Sequence, residues 1–342
     1  MAPSPEDERG GFLLEVSAGA APQDLLEFLS SRFINRSKTA LRRLVGEGRV
    51  AVNGRTGTTG KTVRPGDVVA VPEGVRPGLP PEQVLGLDIV YEDSAHLCIN
   101  KPAGHPVLPG RGGEGAEFYE SLVAYLNRGA PEGGPYRRPH VVHRLDRETS
   151  GVLLVAANVE AARSLSMQFQ NRRIGKQYLA LVEGVFPRQR VTLEIPIERK
   201  PGSLCQMRAA RRGGSRAVTE LEVEQRFGHF TLLRARPVTG RQHQIRVHLA
   251  ASGYPPAVDA LYGRREALTG REFRRLVGPA ARVPSAQTLL ARCPLHAAAI
   301  RYTHPTTGAP MEHRAPTPTD ITGLLEVLAE QDPAPTPPLQ DG

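Results

Sequence analysis

Tryptophan is absent from this 342-residue chain and aromatic residues make up only 5% of it, so few flat side chains are available for stacking on a base. Cysteine is scarce too. Cys98, Cys205 and Cys293 lie far apart, with no CxxC pair and no even count, which excludes a disulfide framework and points to a reducing compartment. No apolar run approaches the length of a membrane span, and the opening MAPSPEDERGG is acidic and polar where a signal peptide would be basic and then apolar. A cytoplasmic chain without membrane attachment is expected. Metal-ligand spacing is missing as well: His243, His248, His296, His304 and His313 never fall into HExxH, so metal catalysis has little support. Two apparent nucleotide motifs fail on their context. GRGGEG (110–115) satisfies GxGxxG but no apolar strand leads into it, and NGRTGTTGKT (53–62) has Arg55 where a phosphate loop requires glycine five residues before Gly60. Both read as loops or turns.

What is present is a globular composition, 39% hydrophobic and 23% charged, at a length that suits one large domain and one small one. The net charge is +9, and it is concentrated. Between Arg32 and Arg64 stand Arg32, Arg36, Lys38, Arg42, Arg43, Arg49, Arg55, Lys61 and Arg64 against the single acid Glu47. A second stretch, RKPGSLCQMRAARRGGSR (199–216), has six cations and no acid. Clustering of this kind favours a nucleic-acid partner over a merely solvated face.

Along the chain, residues 1–21 and 317–342 are read as tails, 22–72 as a small α+β unit, 73–87 as a proline-rich linker, and Asp88 as the start of a large unit. In the small unit a helix over DLLEFLSSRF precedes SKTALRRLVGEG, where Ser37 is placed as N-cap. Leu41, Leu44 and Val45 share a face there, leaving Lys38, Arg42 and Arg43 off it. An Asn53-Gly54 turn follows. The large unit reads IVYED, LCINKP, a helix near EFYESLVAYLNR, VLLVAA, a helix behind Asn158, KQYLALVEG, TELEVEQRF and HFTLLRARPV. Strands follow strands as often as helices, which predicts an α+β fold with a mixed or antiparallel sheet.

Three stretches hold candidate chemistry. HRLDRETSG (143–151) sets Asp146 between Arg144 and Arg147, and a carboxylate near a guanidinium stays ionised; a structural ion pair, a metal ligand, a base and a nucleophile are all open. In TGRQHQIRVHLAASG (239–253), Thr239 and Gln242 are read as a capping box that leaves free N–H groups near Arg241, with Arg246 in the second turn. Alone, that is either a phosphate seat or an amphipathic core helix with solvated arginines. KQYLALVEG puts Tyr178, Ala180 and Val182 on one face of a strand, an aromatic with a polar tip beside small neighbours.

Taken in order, with NKPAG (100–104) before and PLHA (294–297) after, these motifs resemble the RluA-type pseudouridine synthases from about Asp88 to Pro316. Residues 22–72 resemble the S-four-like RNA-binding domain found in front of many such enzymes. Two departures are visible: Val258-Asp259 stands where the family usually has Gly-Asp, and QDLLEFL where an Arg-Leu-Asp opening is common. The resemblance implies an isomerase that detaches a uracil from its ribose in RNA, turns it and rejoins it through carbon 5, with no cofactor or metal. It implies Asp146 as the catalytic carboxylate, Arg246 as its ion-pair partner, Tyr178 as the ring against the base, and Arg144 in the space the flipped base leaves. Arg241, with Lys38, Arg42 and Arg43 of the front unit, would contact RNA. The expected partner is ribosomal RNA of the large subunit, with transfer RNA the alternative, and the expected state a monomer. Two other readings stand beside it: a catalytically silent assembly factor on the same fold, and an N-glycosidase that pairs Asp146 with Glu148.

Overall fold

The computed structural model describes residues 11–33, 38–72, 85–110, 114–129, 137–203 and 205–334. Ser37, most of the linker, the centre of GRGGEG and both chain ends lie outside the described residues. The chain forms two compact units, Met1–Leu87 with His105–Val141, and Asp88–Gly104 with Val142–Gly342.

In the first unit, Asp24 caps the helix Leu25–Arg32 by accepting from the Leu26 N–H at 2.8 Å, and a second helix runs Lys38–Gly46. Leu41 and Val45 are buried while Lys38, Arg42 and Arg43 are exposed, as the apolar spacing requires. Asn53 and Gly54 both take positive φ, 52° and 74°, and turn Ala51–Val52 back onto Arg55–Thr56. That is the paired left-handed geometry a two-residue hairpin needs. Phe12–Glu15 pairs with Val68–Val71, so part of the expected N-terminal tail is an edge strand. The unit also takes in the helix Glu117–Leu126, which sequence reading had assigned to the large unit. Within it the Arg138 guanidinium donates to the Ser30 carbonyl at 3.0 and 2.5 Å.

The second unit is built on one sheet whose strands run Arg190–Glu194, Val218–Arg226, Phe230–Pro237, Gly175–Glu183, Leu295–Thr303, Ser150–Ala156, His96–Lys101 and Asp88–Glu92, with Pro310–Arg314 also on Leu295–Thr303. Among the strands just named every pair is antiparallel except Ser150–Ala156 with Leu295–Thr303, so the sheet is mixed, as expected. The helix Val159–Gln170 starts at Asn158, whose side chain accepts from the Ala161 N–H at 2.8 Å. Residues from 317 are not simply a tail. Thr319–Gln331 is a helix that buries Ile321, Leu324 and Leu328, and Leu324 and Leu328 join a core with Leu181, Phe227 and Phe273. Asp332 then accepts from both the backbone and the ring of His229, each at 2.8 Å.

The parallel contact of Ser150–Ala156 with Leu295–Thr303 explains the last residue of HRLDRETSG. Gly151 has φ 111°, and a Cβ there would lie 2.2 Å from the Ala297 carbonyl oxygen. Beside it, Ser150 Oγ and His296 Nδ1 are 3.0 Å apart. No side chain fits that approach, and the φ is one that L-residues rarely adopt. Gly151→Ala is therefore expected to lower stability by roughly 2–3 kcal/mol or more, combining backbone strain with displacement of the neighbouring strand. Urea denaturation checks this, and a change within about 0.5 kcal/mol, the range of an ordinary surface substitution, would contradict it.

Candidate active site

The loop His143–Thr149 is anchored before its carboxylate is of any use. Leu145 is buried, and the Thr149 N–H closes a turn on the Asp146 carbonyl at 3.1 Å. On one side the NKPAG segment holds it: Gly104 N–H donates to Arg147 O and Arg147 Nε to Gly104 O, both at 2.9 Å. Lys101, fully buried, donates to the Pro102 carbonyl at 2.6 Å and to the Arg147 carbonyl at 3.3 Å; burial pushes its ammonium down to about 7. On the other side Arg292 donates to the Glu148 carbonyl at 3.1 Å while Asp320 holds its guanidinium. Asp146 is thus presented by backbone contacts, and the guanidiniums beside it in sequence play no part in pairing it.

Its partner comes from 100 residues away. Arg246 Nη1 donates to Asp146 Oδ2 at 3.0 Å. The same guanidinium is gripped by Asp259, Nε to Oδ2 at 2.6 Å and Nη2 to Oδ1 at 2.8 Å, and Asp259 also accepts from the Leu261 and Tyr262 N–H groups. Burial opposes the charge on both residues of this pair, yet their mutual bonds hold the guanidinium above its ordinary value and the Asp259 carboxyl below its own. Tyr262 lies over the Arg246 guanidinium at 4.9 Å. Asp146 Oδ1 has no hydrogen bond among the described residues, and His243 Nε2, on a ring that burial pushes toward its neutral form, is 4.0 Å off.

The expected capping box is replaced by a different arrangement. The helix is Gln244–Ala251, and His243 precedes it in the left-handed region at φ 55°, so the helix cannot extend back to Gln242. Thr239 Oγ1 donates to Gln244 Oε1 at 2.7 Å, and the Arg241 N–H donates to that same oxygen at 3.0 Å. The N–H near Arg241 is therefore not free. Arg246 moves to the first turn, where it reaches both carboxylates. Val258, where glycine was the family habit, is buried in the apolar core and has no positive φ, so the loop that carries Asp259 does not need glycine there.

Asp146 and Tyr178 face a cavity of about 540 Å³ whose wall also includes His143, Arg144, Arg172, Lys176, Arg241 and His243. Burial, and then the Asp146 charge, pushes the Tyr178 phenol well above its ordinary value. His143 accepts from the Leu154 N–H at 2.8 Å and stacks on Phe169; burial pushes it down to about 3, so it is a neutral wall. Arg144 is exposed and unpaired among the described residues. Glu148 is not in the cavity wall and lies 3.9 Å from Arg147, so the carboxylate pair of a glycosidase is not assembled. Of the front-unit cations, Lys38 pairs with Glu27 at 2.7 Å and Arg43 with Glu47 at 2.6 Å, both on the surface, while Arg42 is unpaired among the described residues. Such exposed pairs are worth little and exchange readily for other anions.

Away from the cavity, Asp93, His96 and His304 gather closely enough to suggest a metal. The donor set does not fit one. His304 Nδ1 accepts from the Thr306 and Thr307 N–H groups, which places its proton on Nε2, aimed at Asp93 Oδ2 at 2.6 Å. Asp93 already accepts from Tyr91, Ala95 and His96 as well.

Sequence reading missed Asp259, His243 and Tyr262 as parts of this site. The first was in view only as half of a departure from a motif. Asp259→Asn keeps the shape and removes the charge that balances Arg246, so it is expected to cost about 3–5 kcal/mol, the range for breaking a buried pair. Because the Asp259 pKa is depressed on folding, this stability is complete above the ordinary carboxylate value of roughly 3.9 and is lost as the pH falls through the lower folded value. Denaturant unfolding of both proteins, at neutral pH and in acid, measures it; equal stability at neutral pH would remove Asp259 from this role.

The comparisons with known proteins agree with this arrangement. The RNA pseudouridylate synthase family model matches residues 95–251, and the S4 domain model residues 25–69. The chain is 36% identical over 304 residues to an uncharacterized RNA pseudouridine synthase, YlyB, of Bacillus subtilis (strain 168), covering 88% of this chain and 93% of that one. It is 35% identical over 328 residues to the ribosomal large subunit pseudouridine synthase C of Escherichia coli (strain K12), covering 92% and 96%. Among solved structures it is similar to the human RNA pseudouridylate synthase domain containing 1, with TM-score 0.52 and 29% identity over 77% of this chain and 95% of that one. Agreement across nearly the full length of these relatives, on a mixed sheet that carries the HRLD loop, leaves one conclusion: the chain belongs to the RluA-type family of RNA pseudouridine synthases, with an S4 domain ahead of its catalytic unit.

Proposed function

We propose that the protein isomerises specific uridines of large-subunit ribosomal RNA, with Asp146 as the carboxylate that drives glycosidic cleavage. The observation that carries this reading is the division of Asp146 into two unlike oxygens. Oδ2 accepts from the Arg246 guanidinium, which holds the carboxylate in a fixed orientation. Oδ1 has no hydrogen bond among the described residues, and Asp146 lines the cavity, which suits a nucleophile. The relatives that are ribosomal large subunit synthases supply the RNA class.

The chemistry balances without a co-reactant. The bond from uracil N1 to ribose carbon 1′ breaks, the bond from carbon 5 to carbon 1′ forms, carbon 5 gives up its proton and N1 gains one. Tyr178 lies against the displaced base. Its phenol is held protonated, so it serves as a relay, receiving the carbon 5 proton as its own passes toward Asp146. Arg144, exposed and unpaired, enters the gap in the RNA stack, and Arg241 lines the approach. The S4 unit adds sequence-independent affinity through Arg42 and through Lys38 and Arg43, whose surface pairs open to phosphate. The enzyme is read as a cytoplasmic monomer.

Asp146→Asn should abolish isomerisation of the target RNA while folding and RNA affinity stay near wild type. Activity within about tenfold of wild type, a barrier change of only ~1.4 kcal/mol, would overturn the assignment. Mapping pseudouridine across ribosomal and transfer RNA in cells with and without the gene identifies the substrate. A position lost only from transfer RNA would redirect the reading there, and no lost position would favour a silent assembly factor.

Tyr178→Phe keeps the ring and removes the relay. Under single-turnover conditions it is expected to bind RNA like wild type and to turn over roughly 10²–10⁴-fold more slowly, the range for general acid–base groups. Rates equal to wild type would leave stacking as the residue's only role.

A further inference from the structure

Lys176 and Arg172 are the cavity cations whose charge the mechanism above does not use, and of the two Lys176 is the one drawn in from the surface, while Arg172 is exposed. Lys176 stands two residues before Tyr178 on the strand Gly175–Glu183, and both side chains line the cavity. The strand's local pairing creates room for it. The ladder with Phe230–Pro237 begins only at Tyr178 opposite Ala235, and the neighbouring strand ends at Pro237, which has no N–H with which to continue it. On the other side the register against Leu295–Thr303 shifts between Gln177 and Tyr178, the extra residue being Ala298 of that neighbouring strand, an irregularity of the kind found beside sites.

The ammonium is half-buried and has neither a hydrogen bond nor a carboxylate partner among the described residues. Burial alone pulls its pKa down. Its neighbour His143 is neutral and already accepts from the backbone. The cavity wall carries four cations, Arg144, Arg172, Lys176 and Arg241, against the single carboxylate of Asp146, and that carboxylate is committed to Arg246. A desolvated cation without a counter-ion destabilises the free protein. Such a group is retained where a ligand supplies the missing charge.

We propose that Lys176 binds a backbone phosphate of the RNA strand next to the displaced uridine. Two residues apart on one strand face places the ammonium ~7 Å along from the Tyr178 position, so ring and charge would serve different parts of the same strand. The proposal rests on the RNA isomerase reading, and wild-type turnover of the same RNA, scored separately, tests that reading by itself.

The experiment uses the full chain and an RNA fragment that the wild type converts. For Lys176→Met, Kd at about 0.1 M salt should rise roughly 5–20-fold, and the slope of log affinity against log salt should shrink by about one phosphate contact. The loss in saturated single-turnover rate should be much smaller than the loss in affinity. Stability without RNA should be equal or higher, since an unpaired cation gives way to an apolar chain of similar length. Lys176→Arg should restore most of the salt slope, because it restores the charge. An unchanged slope overturns the proposal. So does a fall in the saturated rate with Kd intact, which would make Lys176 a stabiliser of the departing uracil, or a loss of stability in both variants, which would make it structural.

Discussion

One guanidinium shared between two carboxylates is the interaction on which this site depends. Arg246 is nearly inaccessible, and a buried cation persists only if its charge and its donors are met. Asp259 meets most of that demand through two short bonds and is itself satisfied by two backbone N–H groups. Of the donors that remain, one on Nη1 goes to Asp146. The division is unequal by design of the geometry: the structural carboxylate is fully buried and doubly bonded, and the other keeps an oxygen at the cavity. A symmetric arrangement would have tied up both oxygens of Asp146 and left nothing to react.

That arrangement in turn requires a loop that holds its shape without help from its own side-chain charges. Arg144 and Arg147 flank Asp146, and neither pairs with it. The loop is held instead through carbonyls, by Lys101 and Gly104 on one side and Arg292 on the other, while Gly151 lets the following strand approach Ala297 closely enough for the sheet to close behind it. The polar residues of HRLDRETSG therefore divide into those that present the carboxylate and those, such as Arg144, that are left facing the cavity.

The excess of cations around the cavity carries a cost in the free protein. Lys176 and Lys101 are both pulled down by burial, but Lys101 spends its protons on backbone carbonyls and Lys176 does not. Chemically similar residues thus differ in function because one has partners in the fold and the other must find them in a ligand.

Much of this was legible in the sequence, and the reason is locality. The hairpin at Asn53-Gly54, the helix behind Asn158, the exposed face bearing Arg42 and the strand carrying Tyr178 follow from turn chemistry and period, which act over a few residues. The mixed sheet followed from the succession of strands, and Asp146, Tyr178 and Arg246 from motif resemblance. The helix Thr319–Gln331 was legible too, with apolar residues at 321, 324, 325 and 328, but the prolines and acids after it drew the reading toward a tail. Other features could come only from tertiary structure. Nothing local to VDALYG says that Asp259 will grip Arg246, and the left-handed His243 that shortens the helix depends on Thr239 finding Gln244 instead of Gln242. The grouping of His105–Val141 with the first unit breaks chain order, which no linear boundary can express. Sequence determined which groups were available and which faces they occupied; only the fold decided which charges would be neutralised by one another and which would be left for RNA.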